Sequence, residues 1–197
     1  MADSVPDIAH RHPTVQDHLT GQYDCPSDEK GQTMPGEGID ADTFKDMMAS
    51  VAATVTVVTA FSDTEPIGLT VSAFTSVSVE PPIVLISIDK SSASLDTFVS
   101  GPGFTVNFLP EDAGDLAMLF ASRGADKFGT VDWSQPSIDG AGPTLDASFG
   151  TFECLTIDHI EMGDHWVIFG RVDAATRNSD SRPCVWLGRG FVRTERA

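Results

Sequence analysis

Thr54-Val55-Thr56-Val57-Val58-Thr59 decides the fold of this chain. Every position in it is β-branched, which stiffens χ1 and favours a pleated backbone over a helical one. A strand is expected over 54–59. Glu65-Pro66 then reads as a turn, and three more short runs follow at 67–71, 74–79 and 83–88, the last two divided by Glu80-Pro81-Pro82. The gaps are only of turn length. A parallel βαβ unit needs a crossover of a dozen residues or more, so these strands are expected to pair as antiparallel hairpins.

Upstream, Asp42 reads as a helix N-cap, and Phe44, Met47, Met48 and Val51 share one helical face. Downstream, a short helix over 94–100 ends at Gly101-Pro102-Gly103, a strand covers 104–109, and Asp112 caps a second helix carrying Leu116, Leu119 and Phe120. Residues 121–148 are rich in Gly, Asp, Ser and Pro, a long excursion expected to lie over a site. Strands at 151–160, 166–174, 185–187 and 191–194 complete the set. Such a count predicts a mainly β protein: an antiparallel barrel, closed or nearly closed, with a few peripheral helices, because closure removes exposed edges. Residues 1–40 hold few and unperiodic apolar positions, so a flexible N-terminal arm is expected there and one domain over 41–197.

The chain has 197 residues, 41% of them hydrophobic, which suits a single domain of ordinary size. Twenty-nine acidic against twelve basic residues leave a formal charge of -17, which repels nucleic acid and anionic membrane surfaces. No apolar run is long enough for a bilayer span, and no basic start precedes an apolar stretch. Cys25, Cys154 and Cys184 are too far apart for a disulfide framework or a Cys-x-x-Cys pair. A cytoplasmic location is expected. His10, His12 and His18 stand beside no recognised ligand spacing, so no metal site is expected. Dinucleotide-binding, phosphate-loop, nucleophile-elbow and zinc-protease signatures are absent from the sequence.

Thr70, Ser72, Thr75, Ser76 and Ser78 put a row of hydroxyls into an otherwise apolar stretch. Hydroxyls donate and accept, so the row suits a ligand with carbonyls, ring nitrogens and phosphate oxygens. From spacing alone, a half-exposed strand with Thr and Ser facing water is the commoner reading. Lys90, Ser91, Ser92 and Ser94 precede a helix start, where free N–H groups, hydroxyls and an ammonium can seat phosphate or simply cap the helix. Gly163-Asp164-His165 enters the strand at 166–174. Asp164 can fix the tautomer of His165 or favour its protonated ring.

Four stretches in this order resemble one known family: Thr54 to Thr59; Gly68-Leu69-Thr70-Val71-Ser72-Ala73-Phe74-Thr75-Ser76-Val77-Ser78 with Pro81-Pro82; Phe104-Thr105-Val106-Asn107; and Gly163-Asp164-His165 with Gly170-Arg171-Val172. The chain is similar over 43–194 to the short-chain flavin reductases, which have an FMN-binding split β-barrel and serve two-component flavin monooxygenases. The resemblance implies a homodimer in which NADH or NADPH reduces FMN or FAD for a separate oxygenase. It places Gly68, Thr70, Val71, Ser72, Ala73 and Phe74 beside the ring with further hydroxyls from Ser76 and Ser78, counts Thr54 and Thr56 among the cofactor-binding residues, and puts Asp89, Lys90, Ser91 and Ser94 at the phosphate. Phe104, Val106, Asn107 and Phe128 would flank the cofactor, and Gly163, Asp164 and His165 would bind the nicotinamide nucleotide. Lys90, Arg123, Lys127 and Arg171 are the cations available to two anionic ligands. Trp166 and Phe191 depart from the family's usual small hydroxylated residue and tyrosine. A non-catalytic flavin- or haem-binding barrel, or a reductase that keeps its flavin for another acceptor, is the alternative.

Overall fold

A computed structural model describes residues 38–124 and 126–195, with one compact unit running over Ala41–Ala197. Apart from 38–40, the expected arm lies outside the described residues. The deciding stretch forms β1 (Ala53–Thr54) and β2 (Thr56–Ser62), divided at Val55, whose N–H donates to the Cys184 carbonyl at 2.9 Å. β3 (Glu65–Val71), β4 (Phe74–Val79) and β5 (Pro82–Asp89) follow as antiparallel strands. The first turn falls at 63–64 rather than at Glu65-Pro66: Asp63 adopts φ 55°, which Asp tolerates, and Pro66 lies in an edge strand.

Beyond β5 come β6 (Gly103–Phe108), β9 (Gly150–Met162) and β10 (His165–Arg177), which complete a seven-stranded antiparallel sheet ordered β3-β2-β6-β9-β10-β5-β4. β3 and β4 occupy its opposite edges although only Ser72-Ala73 separates them in sequence. In a flat sheet those edges would stand roughly 29 Å apart at ~4.8 Å per strand. The link from Val71 to Phe74 spans at most about 11 Å. The sheet therefore rolls up until its edges meet, giving the expected barrel, split along one seam.

Val58, Val71, Val84, Ile86, Phe104, Val106, Cys154 and Ile168 fill the barrel from one face of each strand. On the other face Val57 packs with Leu109, Ala117, Phe120, Leu145 and Cys184, beneath a helix over Gly114–Ala121 and a ribbon of β7 (Trp133–Ser134) with β8 (Thr144–Leu145). β2 is thus buried on both sides, which is why its apolar pattern is continuous rather than alternating. β11 (Val185–Leu187) and β12 (Gly190–Val192) join β1 in a small second sheet.

Two helical expectations change. The first helix, α1 (Ala41–Ala49), holds Asp42 inside its first turn and leaves Phe44, Met47, Met48 and nearby Val51 between 51 and 63% exposed. Its apolar face is not part of this chain's core. The short helix before β6, α2 (Leu95–Ser100), forms as expected, whereas α3 (Gly114–Ala121) has Ala113 rather than Asp112 at its N-cap position.

The excursion is also two things rather than one. Its second half is fastened to the outside of the barrel: Thr59 Oγ1 donates to the Pro143 carbonyl at 2.5 Å and Thr105 Oγ1 to the Gly142 carbonyl at 2.6 Å. Asn107 Oδ1 accepts from the Leu145 N–H at 2.7 Å, and Glu153 Oε2 accepts from the Ser137 N–H, the Ser137 hydroxyl and the Ile138 N–H at 2.7–2.8 Å. These buried polar groups meet their bonding needs in the loop they hold, so this half is a wall. The first half, with Arg123, Lys127 and Phe128, borders a cleft that carries cations.

Candidate functional site

A cleft of ≈ 910 Å³ opens between β3, the turn after β5 and the segment following α3. Its lining includes Gly68 and Thr70, then Asp89 and Ser91 to Ser94, then Phe120, Arg123, Lys127, Phe128 and Trp133. Two smaller clefts, ≈ 720 Å³ beside α2 and ≈ 770 Å³ beside β8, are lined by several Asp and by no Lys or Arg. Only the first of these three combines an apolar wall with cations.

The wall is aromatic. The Phe120 and Phe128 rings meet edge-to-face at 5.3 Å, and Phe128 meets Trp133 in the same way at 6.0 Å. Lys127 Nζ donates to the Phe120 carbonyl at 2.8 Å and the Gly68 carbonyl at 3.1 Å, joining the end of α3 to β3. Burial pushes its ammonium below the ordinary lysine range. Thr70 Oγ1 donates to the Ala117 carbonyl at 2.6 Å, so its proton serves α3 and its lone pairs alone remain for a ligand.

On the facing side, the Asp89 carboxylate accepts the Ser91 N–H at 2.6 Å. That bond, together with the Ser91 hydroxyl, holds Asp89 below the usual carboxylate range, with His165 and Arg123 adding attraction. Ser94 stands at the start of α2 without a side-chain cap bond. Arg123 faces this turn and makes no hydrogen bond among the described residues.

The Gly-Asp-His stretch turns the β9–β10 hairpin, with Gly163 at φ 60°. Asp164 Oδ1 lies 2.7 Å from His165 Nδ1, and this bond depresses the Asp164 carboxyl. His165 sits opposite Asp89 in the β5–β10 register, and the Lys90 N–H donates to the Asp164 carbonyl at 2.9 Å. The hairpin is therefore tied to the rim of the cleft.

Of the residues singled out in the sequence, Gly68, Thr70, Asp89, Ser91, Ser94 and Phe128 line one cleft. Ser72 and Ala73 lie exposed at the seam, beside buried Val71 and half-buried Phe74, whose ring packs on Phe108 at 5.4 Å. The other expected positions lie outside this cleft's lining. Thr56, Phe104, Val106 and Asn107 are fully enclosed: Thr56 Oγ1 donates to the Val71 carbonyl, and the Asn107 amide donates to the Val57 carbonyl. Their side chains support the site from behind. Thr54 lies in β1 against Val185, and Ser76 and Ser78 lie on edge strand β4, all outside the cleft lining. Lys90 pairs with Glu161, and Arg171 forms a two-point bond to Asp173 at 2.6 and 2.8 Å, so the cleft's cations are Arg123 and Lys127. Trp133 and Phe120 were not anticipated as lining. Trp133 lies five residues beyond Phe128 in the excursion, whereas Phe120 belongs to the apolar face of α3.

The family match covers nearly all of this architecture: a flavin reductase like domain spans residues 48–195. This chain belongs to that family. The flavin reductase relatives include a probable flavin reductase of Rhizobium meliloti, 41% identical over 143 residues, covering 72% of this chain and 45% of that protein. The reductase subunit HsaB of a flavin-dependent monooxygenase from Rhodococcus jostii is 32% identical, covering 81% of this chain and 80% of its own length. Among solved flavin reductases, the Streptomyces globisporus C-1027 NADH:FAD oxidoreductase SgcE6, in complex with NAD and FAD fragments, superposes with a TM-score of 0.74 at 32% identity, covering 81% of this chain and 98% of that one. The chain spans about half the length of the Rhizobium meliloti relative.

Proposed function

We propose that the chain is an NAD(P)H:flavin oxidoreductase, passing hydride from NADH or NADPH to FMN or FAD for a separate monooxygenase. The observation that carries this reading is the cleft itself, where an aromatic wall and two cations face a serine-bearing turn whose rim holds the Gly-Asp-His hairpin. That lining fits a flavin nucleotide: an apolar, aromatic side for a ring and charged or hydroxyl donors for its anionic groups.

When bound, the flavin supplies a ring that accepts hydride and carries it away. The protein's share is binding and orientation. Phe120, Phe128 and Trp133 give the cleft its apolar wall, and Ser91, Ser94 and Arg123 would meet a phosphate with hydroxyls and a guanidinium fork. His165, held by Asp164, orients the nicotinamide nucleotide at the rim and moves no proton.

The active form is a homodimer. Support comes from exposed apolar residues on the β4 edge and the β9–β10 hairpin: Val77, Val79, Ile160 and Met162 are 41–90% exposed. A second copy over β4 would cover them and bring Ser76 and Ser78 toward an enclosed site. Soluble, cytoplasmic operation accords with the acidic composition and with the lack, among the described residues, of any helix able to cross a membrane.

Steady-state NADH oxidation with added FMN under air tests the activity, with sedimentation of the same sample testing the dimer. Turnover that rises with FMN supports the reductase. A protein that binds flavin but oxidises neither NADH nor NADPH favours the storage or sensing barrel instead.

A further inference from the structure

Lys127 stands apart from every other cation of the described residues, because its ammonium is inside the candidate cleft and already partly engaged. Of its three N–H donors, two go to the carbonyls of Phe120 and Gly68. The third has no partner among the described residues, and the side chain lines the cleft. Nζ also lies 5.8 Å from the centre of the Phe120 ring. Gly68 cannot carry a side chain on this side, since a Cβ there would come within 2.6 Å of Phe120. The ammonium is therefore held at a fixed place beside β3 by two backbone carbonyls and a ring.

We propose that Lys127 is the residue that sets how strongly this protein prefers reduced over oxidised flavin, by directing its third N–H to the carbonyl edge of the isoalloxazine. The inference rests on the flavin reading above. Reduction makes that edge of the ring richer in negative charge, and a preorganised, partly desolvated cation stabilises the charge more than solvent does. Its lowered basicity agrees with a partly desolvated position. Arg123 does not share the role, since it is exposed and faces Asp89 at the phosphate side.

The test compares wild type with Lys127→Gln, which can still donate to carbonyls but carries no charge, and with Lys127→Arg, which keeps the charge. Binding is read by fluorescence quenching of riboflavin and of FMN, and the midpoint potential of bound riboflavin by anaerobic dye titration at saturating protein. For Lys127→Gln, riboflavin and FMN weaken by the same factor. Reduced flavin loses about tenfold more affinity than oxidised, so the bound potential falls by about 30 mV for the two-electron couple. Lys127→Arg keeps the wild-type potential. An unchanged potential in Lys127→Gln, a loss confined to FMN, or an equal fall in Lys127→Arg overturns the proposal. Wild-type protein that quenches neither flavin removes the flavin reading itself, whereas normal wild-type binding with an indifferent Lys127→Gln removes only this role. Thermal melts of all three proteins accompany the measurement. If Lys127→Gln does not fold, Lys127→Met, which also removes the charge, takes its place: a potential lowered by about 30 mV supports the charge role, and an unchanged one overturns it.

Discussion

Gly68 and Phe120 meet with no room for another atom between them: a Cβ on Gly68 would stand 2.6 Å from Cε1 of the Phe120 ring and 3.3 Å from Cζ of Phe128. The bare backbone of β3 is what lets α3 and the aromatic wall close on the barrel. Gly68→Ala drives the two rings back into the cleft at a cost of ~1–3 kcal/mol for overpacking. The expected outcome is a lower melting temperature together with weaker flavin binding. A variant that melts as wild type and binds flavin normally would show that the rings move aside freely.

His165 faces the cleft only through Asp89 and is anchored by Asp164 at 2.7 Å. His165→Ala is expected to raise the apparent KM for the nicotinamide nucleotide several-fold more than that for flavin. Asp164→Asn should do the same more weakly, since an amide can still hold the ring. The Asp164 carboxyl is depressed by its bond to His165, so the charged anchor is present above its ordinary titration range and is lost as pH falls through the lowered value. The KM for NADH should therefore rise only toward the acid end of the profile in wild type, and that limb should be missing in Asp164→Asn. Equal effects of His165→Ala on both substrates would contradict the assignment.

Ser91 and Ser94 share the turn that Arg123 faces, and Ser94 makes no cap bond. Replacing both with Ala should weaken FMN by about a hundredfold or more while leaving riboflavin nearly unchanged, because only FMN bears phosphate, and each lost hydrogen bond to a charged group is worth ~1.5–3 kcal/mol. Equilibrium quenching titrations with the two flavins check this. Parallel losses would move the phosphate elsewhere.

Cys154 sits in the middle of the barrel, where burial first and then the charges of Asp173 and Glu153 push its thiol up from 9.0 to about 12. The folded state thus keeps the proton that the unfolded chain gives up. Stability from this group is whole below pH 9 and declines as pH rises from 9 toward 12, by at most about 1.4 kcal/mol per pH unit. Denaturant melts of wild type and Cys154→Ala should converge with rising pH across that window. A constant difference between the two would show that the thiol ionises alike in both states.

The order of strands, the antiparallel pairing and the mainly β class were legible in the sequence because β-branched runs and turn-length gaps leave few alternatives. The serine turn and the Gly-Asp-His hairpin were legible for a similar reason: each is a local stretch whose chemistry lies within a few residues. Which cations belong to the site was not. Lys90 lies beside Ser91 in sequence but bonds to Glu161, while Lys127, 59 positions beyond Gly68, reaches its carbonyl. Phe104, Val106 and Asn107 likewise have the alternation of a strand but no mark to tell a lining residue from one buried on both faces.

Local composition thus determined the elements, since propensity and turn chemistry act over a few residues. Only the rolled sheet decided the seam at Ser72-Ala73, the aromatic wall and the placement of Lys127, because those depend on which distant surfaces are brought together when a seven-stranded sheet closes on itself.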